Sequence, residues 1–178
     1  MTMRSVLIPV LLALALGGNA ALALARPAPI AGGANQTSGV TGNMSQVLFN
    51  GELRIRGVSL RQAPPGEHYA TLTPPGAAER AIILRMIVSN GTHHSNHGYF
   101  NATFADADGI TITGSVLDDG WDLQPGAAAR VAIGFIVPND FVPTRIVLIQ
   151  AAKSHPRAFR IAIRPGDLAA APGTAASP

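Results

Sequence analysis

The chain has 178 residues, no cysteine and a formal net charge of +3 at pH 7. The lack of cysteine excludes disulfides and a lipid-anchoring cysteine, so stability must come from a hydrophobic core. So small a net charge does not favour nucleic-acid binding.

The first 25 residues have the pattern of a secretory signal peptide. Arg4 supplies a short basic region, Val6 to Leu16 form an apolar run, and small residues at Ala23 to Ala25 precede the predicted mature start at Arg26. A transmembrane span needs about 20 apolar residues, and Gly17 to Asn19 interrupt the run before that length. We therefore predict a periplasmic or secreted protein with no transmembrane anchor after cleavage.

The composition divides the remaining chain into three parts. Residues 26–45 are rich in Pro, Gly, Ser, Thr and Asn without hydrophobic periodicity, which predicts a flexible leader. Residues 169–178 have a similar composition and predict a disordered tail. Between them, residues 46–168 are predicted to form one domain, and they contain no internal repeat.

Seven segments of this domain alternate apolar and polar residues with a period of two. They are ELRIRGVSLR, RAIILRMIV, YFNATFA, GITITGS, RVAIGFIVP, TRIVLIQA and AFRIAIR. Gly57 interrupts the alternation of the first segment and predicts a β-bulge. Turn-forming sequences such as DADG and LQPG separate the segments. The pattern predicts an all-β fold, an immunoglobulin-like antiparallel β-sandwich of about seven to eight strands.

Several short motifs follow one another in a characteristic order between about residues 50 and 163. A strand ending in Asn (MIVSN) and a polar loop come first, then ATFADADG, LQPGAAARVAIGFIVP and a closing RIVLIQ strand. This order resembles a bacterial extracytoplasmic family of immunoglobulin-like domains of unknown function, common in exported proteins and lipoproteins. On this resemblance the pattern positions are Asn90, Asp106, Gly109, Leu123, Pro125, Gly126, Phe135, Val137 and Pro138. The resemblance implies a fold and an exported location, and no activity.

Three of the five histidines, His93, His94 and His97, lie in the polar loop NGTHHSNHGYFN. Imidazoles suit Zn²⁺ and Cu²⁺, and three on one loop could converge on an ion if another ligand such as His68 or Asp106 approached. A pH-responsive surface is a further alternative, since free histidines gain charge near pH 6.5. An exposed polar loop is the preferred interpretation, because nothing nearby would hold the imidazoles in place.

Two acidic motifs are interpreted as structural. DADG at residues 106–109 lacks the further oxygen ligands of a calcium-binding loop and predicts a turn. DDGWD at residues 118–122 places carboxylates beside the only tryptophan. That ring could stack on a sugar or contact a cationic partner, but we expect it to cap the end of the core.

Some apolar residues occupy outward positions of the predicted strands. They are Ile83, Ile87, Ile136, Val147 and Ile149. If their faces adjoin, they form a hydrophobic patch larger than a monomer normally exposes. The hypothesis is that another exported protein or a second copy of the chain covers this interaction face, unless the chain's own loops do so.

Basic residues are frequent near the C-terminus, at Arg145, Lys153, Arg157, Arg160 and Arg164. They could meet an anionic surface, although a solvated face or a protected edge strand explains them adequately.

The sequence contains no G-x-S-x-G, no HExxH, no phosphate-binding loop and no cysteine nucleophile, and we predict that the protein is not an enzyme. The preferred function is an exported, non-catalytic immunoglobulin-like binding or interaction module without a cofactor. The alternative is a periplasmic protein that binds Zn²⁺ or Cu²⁺ through His93, His94 and His97.

Overall fold

A computed structural model describes residues 27–64, 66–67, 69–151 and 157–170. Every regular element in these residues is a β-strand, which confirms the predicted all-β class. The predicted signal peptide and residues 171–178 of the predicted tail lie outside the described residues. Within the described part of the chain, no helix has the length and hydrophobicity needed to cross a membrane.

Thirteen strands follow one another along the described chain. They are β1 (Ile30–Gly32), β2 (Val40–Asn43), β3 (Val47–Phe49), β4 (Leu53–Gln62), β5 (Glu79–Asn90), β6 (Asn96–Gly98), β7 (Phe100–Ala105), β8 (Thr111–Val116), β9 (Trp121–Leu123), β10 (Ala128–Pro138), β11 (Arg145–Gln150), β12 (Phe159–Ala162) and β13 (Leu168–Ala169). The seven alternating segments of the sequence correspond to β4, β5, β7, β8, β10, β11 and β12. The other six strands have two to four residues, too few to show a period of two.

The main strands form one continuous order, β1-β3-β4-β5-β10-β8-β7-β11-β12-β2, and β13 pairs with β4. Strand β8 joins the two halves, because its first four residues pair with β7 and its last two pair with β10. We call the half containing β1, β3, β4, β5, β10 and β13 sheet A, and the half containing β7, β11, β12 and β2 sheet B. Most buried apolar residues of both sheets form one cluster, as in a β-sandwich.

Two phenylalanines connect the sheets at the centre of this core. The rings of Phe104 in β7 and Phe135 in β10 stack with centroids 3.7 Å apart and an interplanar angle of 12°. Neither side chain has any solvent exposure. A Cβ atom at Gly114 of β8 would lie 2.5 Å from the Phe135 ring, so this position must lack a side chain where β8 crosses the core.

The predicted β-bulge in β4 is confirmed. The register of β4 against β5 shifts between Gly57 and Ser59, which leaves Val58 unpaired and 57% exposed. The extra residue restores the inward alternation, so that Ile55 and Leu60 are both buried on either side of it.

The segment predicted to be a flexible leader contains two strands, which corrects that prediction for its described residues. Strand β1 pairs in parallel with β3 at the edge of sheet A, and β2 pairs in parallel with β12 at the edge of sheet B. These strands are held mainly by backbone hydrogen bonds to distant partners and need no hydrophobic alternation of their own. At the other end, β13 extends the domain one residue past its predicted limit, to Ala169.

Candidate functional site

Asn90, at the end of β5, fixes the histidine-containing loop to the sandwich. Its buried side-chain amide donates hydrogen bonds to the carbonyls of His94 (2.6 Å) and Leu123 (2.9 Å). Its carbonyl oxygen accepts hydrogen bonds from the backbone N–H and the hydroxyl of Thr92, both at 2.9 Å. One side chain therefore satisfies four polar groups, and the loop has a defined backbone.

The three imidazoles of this loop are not assembled into a site. His93 and His94 are exposed in the loop, whereas His97 is exposed on β6. In the described parts of the chain, no three His, Asp or Glu side chains are grouped so as to hold a metal ion. His68 lies outside the described residues. Binding of Zn²⁺ or Cu²⁺ therefore stays a prediction from the sequence.

The two acidic motifs have structural roles, as predicted. Trp121 is buried at the end of the core, 4.6 Å from the ring of Phe100, and its Nε1 donates to Oδ1 of Asn96 at 3.4 Å. In the DADG turn, Oδ1 of Asp106 accepts the backbone N–H of Ile110 at 2.8 Å. Trp121 and Asp106 therefore each make contacts that hold the fold.

The five residues of the predicted interaction face lie on both sheets, Ile83, Ile87 and Ile136 on sheet A and Val147 and Ile149 on sheet B. Ile83 has no exposure because Tyr69, Leu72 and neighbouring residues of the β4–β5 connection pack over it, and Ile136 is half-buried in the same cluster. Val147 and Ile149 lie on β11 of sheet B, where Ile149 is 37% exposed. Ile87 is half-buried and lines a groove on the outer face of sheet A. The chain's own connection therefore covers most of the sheet A portion, and self-association stays a prediction.

A groove of about 450 Å³ lies on the outer face of sheet A. In one row across the sheet, Arg56 of β4 and Arg130 of β10 flank Ile87 of β5 as its register partners. Arg85 precedes Ile87 by two residues in β5 and is the register partner of Ala132. The remaining lining comes from Val58, Tyr69, Met86, Leu117, Asp118 and Val131. We call this surface the arginine groove.

Among the described residues, no carboxylate lies within ion-pair distance of the three guanidinium groups of the arginine groove. The one ion pair in this part of the chain joins Arg61 to Glu67. The nearest acid of the lining, Asp118, uses Oδ2 to accept the backbone N–H of Ala132 at 2.6 Å. The groove thus carries more positive than negative charge. All three arginines are exposed, so their charges face solvent.

The β4–β5 connection closes one end of the arginine groove. The Thr71 hydroxyl donates to the Val116 carbonyl at 3.0 Å, and Leu72 packs where a Cβ of Gly134 would otherwise lie. Beside them, both carboxylate oxygens of Glu67 accept hydrogen bonds from Arg61, at 2.6 and 2.8 Å. The Tyr69 hydroxyl also donates to Glu67, so the tyrosine of the lining is fixed by this ion pair.

We expect the stability of this end wall to depend on pH through Glu67. Its hydrogen bond from Arg61 lowers the pKa of Glu67 below the usual 4.5, although partial burial opposes the shift. A carboxyl group with a lower pKa in the folded state stabilises that state above its unfolded pKa, and this contribution disappears as the pH falls through the folded pKa. The free energy of unfolding should therefore decrease below about pH 4.5, by roughly 1 kcal/mol or less for a partly exposed pair.

Urea unfolding between about pH 3 and pH 7 measures this dependence, and Glu67→Gln should lack it. The matched control is Asp119→Asn, an exposed acid between β8 and β9 that is not part of the ion pair. Identical pH profiles for Glu67→Gln and the unmodified chain would contradict the role given to Glu67.

No known protein family and no curated protein matches this chain. Among solved structures, it is similar to a secreted protein from Mycobacterium tuberculosis, MPT63, with 16% identity, a TM-score of 0.48, and coverage of 72% of this chain and 100% of that one. It is also similar to an uncharacterized β-sandwich protein from Clostridium difficile 630, with 11% identity, a TM-score of 0.45, and coverage of 70% and 95%. Both are too distant to carry information about a ligand.

Membership of the immunoglobulin-like family named above therefore stays a prediction. The residues at its pattern positions do have structural roles here. Asn90 fixes a loop, Gly109 and Gly126 have positive φ angles of 84° and 76° at turns, and Phe135 and Val137 are fully buried. These positions therefore contribute to turns, to the attachment of a loop and to the core.

Proposed function

We propose that the protein is an exported, non-catalytic binding module and that its ligand is an anion held in the arginine groove. The observation that carries this proposal is the position of Arg56, Arg85 and Arg130 on three adjacent strands, with no carboxylate of the described residues within ion-pair distance. The signal-like sequence at residues 1–25 supports export.

Arginine is well suited to this role because its planar guanidinium presents five N–H donors that match carboxylate and phosphate oxygens. Here the three side chains start from a paired sheet, so their Cα atoms keep fixed separations. Arg56 and Arg130 are two strand spacings apart, roughly 10 Å, with Ile87 between them. This spacing lets the two long side chains reach one anion from opposite sides.

A binding role without chemistry is supported by the lining of the arginine groove. Among the described residues, this lining contains no serine, histidine or cysteine that could act as a nucleophile or general base. Tyr69 is bonded to Glu67, and Asp118 accepts a backbone N–H, so both ionisable groups besides the arginines are engaged in holding the structure.

Titration with inorganic phosphate, followed by NMR chemical shifts of backbone amides and arginine Nε groups, tests the proposal. We expect saturable shifts at Ile87 and Ala132 of the groove. Because a hydrogen bond to a charged group contributes about 1.5–3 kcal/mol, the Arg56→Ala/Arg85→Ala/Arg130→Ala variant should bind at least about tenfold more weakly.

Arg145→Ala is the matched control, since Arg145 is an exposed arginine on β11 of sheet B. It should bind phosphate as the unmodified chain does. All four positions are exposed, so the substitutions should change the free energy of unfolding by no more than about 0.5 kcal/mol each. Equal binding by the triple variant and the control would refute the proposed site.

A further inference from the structure

We infer that the anion bound in the arginine groove is amphiphilic, with a phosphate or carboxylate head and a short alkyl tail. This inference rests on the proposed function and extends it from a charge to a class of ligand. It is carried by the apolar part of the groove, which a simple inorganic anion would leave unoccupied.

The apolar side chains of the groove come from four separate segments. Ile87 forms the floor, Val58 projects from the bulge of β4, Leu117 follows β8, and Tyr69 belongs to the β4–β5 connection. Val58 is an aliphatic residue that lines the same groove as the three arginines, and it is 57% exposed. The volume of about 450 Å³ lies within the range of about 300–1,000 Å³ typical of small-molecule sites, which combine apolar walls with a few polar groups.

The strand register orders the charged and apolar parts along the groove. Arg56 and Arg130 share the row of Ile87, and Arg85 lies in the next row. Two rows further along β5 from Ile87, the sheet is covered at Ile83 by Tyr69 and Leu72. A head held between Arg56 and Arg130 would therefore direct its tail past Arg85 towards the closed end.

The closed end limits the length of the tail. Ile87 and Ile83 are four residues apart on β5, which corresponds to about 13 Å of strand. An extended polyanion would need a groove open at both ends, and the β4–β5 connection blocks one of them. The groove therefore favours a single short-chain molecule over a polysaccharide or a bilayer surface.

The experiment is a calorimetric titration with monoalkyl phosphates of increasing chain length, from methyl to dodecyl, each as a monomer in solution. Because the head group stays constant, any change in affinity reports on the tail. Each buried methylene should tighten binding by up to roughly fourfold. We expect the gain to stop once the chain reaches the Tyr69 end, giving a plateau before the longest member.

Two variants separate the tail from the head. Val58→Ser and Leu117→Ser should each reduce the gain per methylene while leaving the affinity for methyl phosphate unchanged. Val58 is exposed, so its variant remains informative if Leu117→Ser does not fold. Val142→Ser, at another exposed valine, which does not line the groove, is the matched control and should behave as the unmodified chain does.

Each outcome distinguishes the inference from the proposed function. Phosphate binding without any gain from longer chains would overturn the amphiphilic ligand and leave the anion site in place. Loss of all binding, for phosphate and alkyl phosphates alike, would remove both. Co-sedimentation with phosphatidylglycerol vesicles without binding of monomeric alkyl phosphates would also overturn the inference, because the ligand would then be a membrane surface.

Discussion

Replacing Phe135 with alanine is expected to lower the free energy of unfolding by about 3–5 kcal/mol, the usual cost of truncating a buried phenylalanine. Phe135 has no solvent exposure and stacks on Phe104 of the opposite sheet, so the change removes a contact between the two layers. The ring also fills the space above Gly114, where the crossing strand β8 has no side chain. A cavity would therefore form where three strands of both sheets meet.

Urea unfolding followed by tryptophan fluorescence measures this loss, because Trp121 is buried in the same core. Phe135→Leu should cost less than Phe135→Ala, since it fills part of the cavity. Tyr99→Ala is the exposed aromatic control and should cost less than about 1 kcal/mol. Similar losses for Phe135→Ala and Tyr99→Ala would show that Phe135 does not join the sheets as described.

Replacing Asn90 with alanine should lower the free energy of unfolding by about 2–4 kcal/mol, since buried polar groups left without partners cost about 1–3 kcal/mol each. The change removes both donors to the carbonyls of His94 and Leu123 and the acceptor for Thr92. The loop and β9 would lose their shared attachment to the end of β5.

Thermal and urea unfolding of three variants tests the role of Asn90. Asn90→Asp keeps the acceptor for Thr92 but loses the amide donors, so it should not restore full stability. Asn101→Ala, at an exposed asparagine of β7, should change the free energy of unfolding by no more than about 0.5 kcal/mol. An Asn90→Ala variant as stable as Asn101→Ala would contradict the bonding described.

The long strands and the turns between them follow from the order of residues alone. In β5, the alternation of Ile82, Leu84, Met86 and Val88 matches four buried positions of the folded chain. Gly57 marked the bulge in β4 because a change of phase in the alternation is visible in a single strand. The turn at Asp106 was equally predictable, since its hydrogen bonds span only four residues. These features depend on local chemistry, and local chemistry can be seen in the order of residues.

Other features depend on which strands are neighbours, and these become visible only in the folded chain. Strands β1 and β2 are too short for a periodic signal, and each pairs with a partner that composition does not indicate. The sequence shows a concentration of basic residues near the C-terminus. The arginine groove instead combines arginines from β4, β5 and β10, which are far apart in the sequence.

The burial of Ile83 also depends on contacts between distant parts of the chain. Its outward position on β5 was predictable, but the connection that folds back over it was not, because its Pro- and Gly-rich sequence resembles an ordinary surface loop. Adjacency of strands and the path of a connection are set by long-range packing of the whole chain. An alternation of apolar and polar residues predicts which face of the sheet a residue occupies. It does not predict which residues pack beside or above that face.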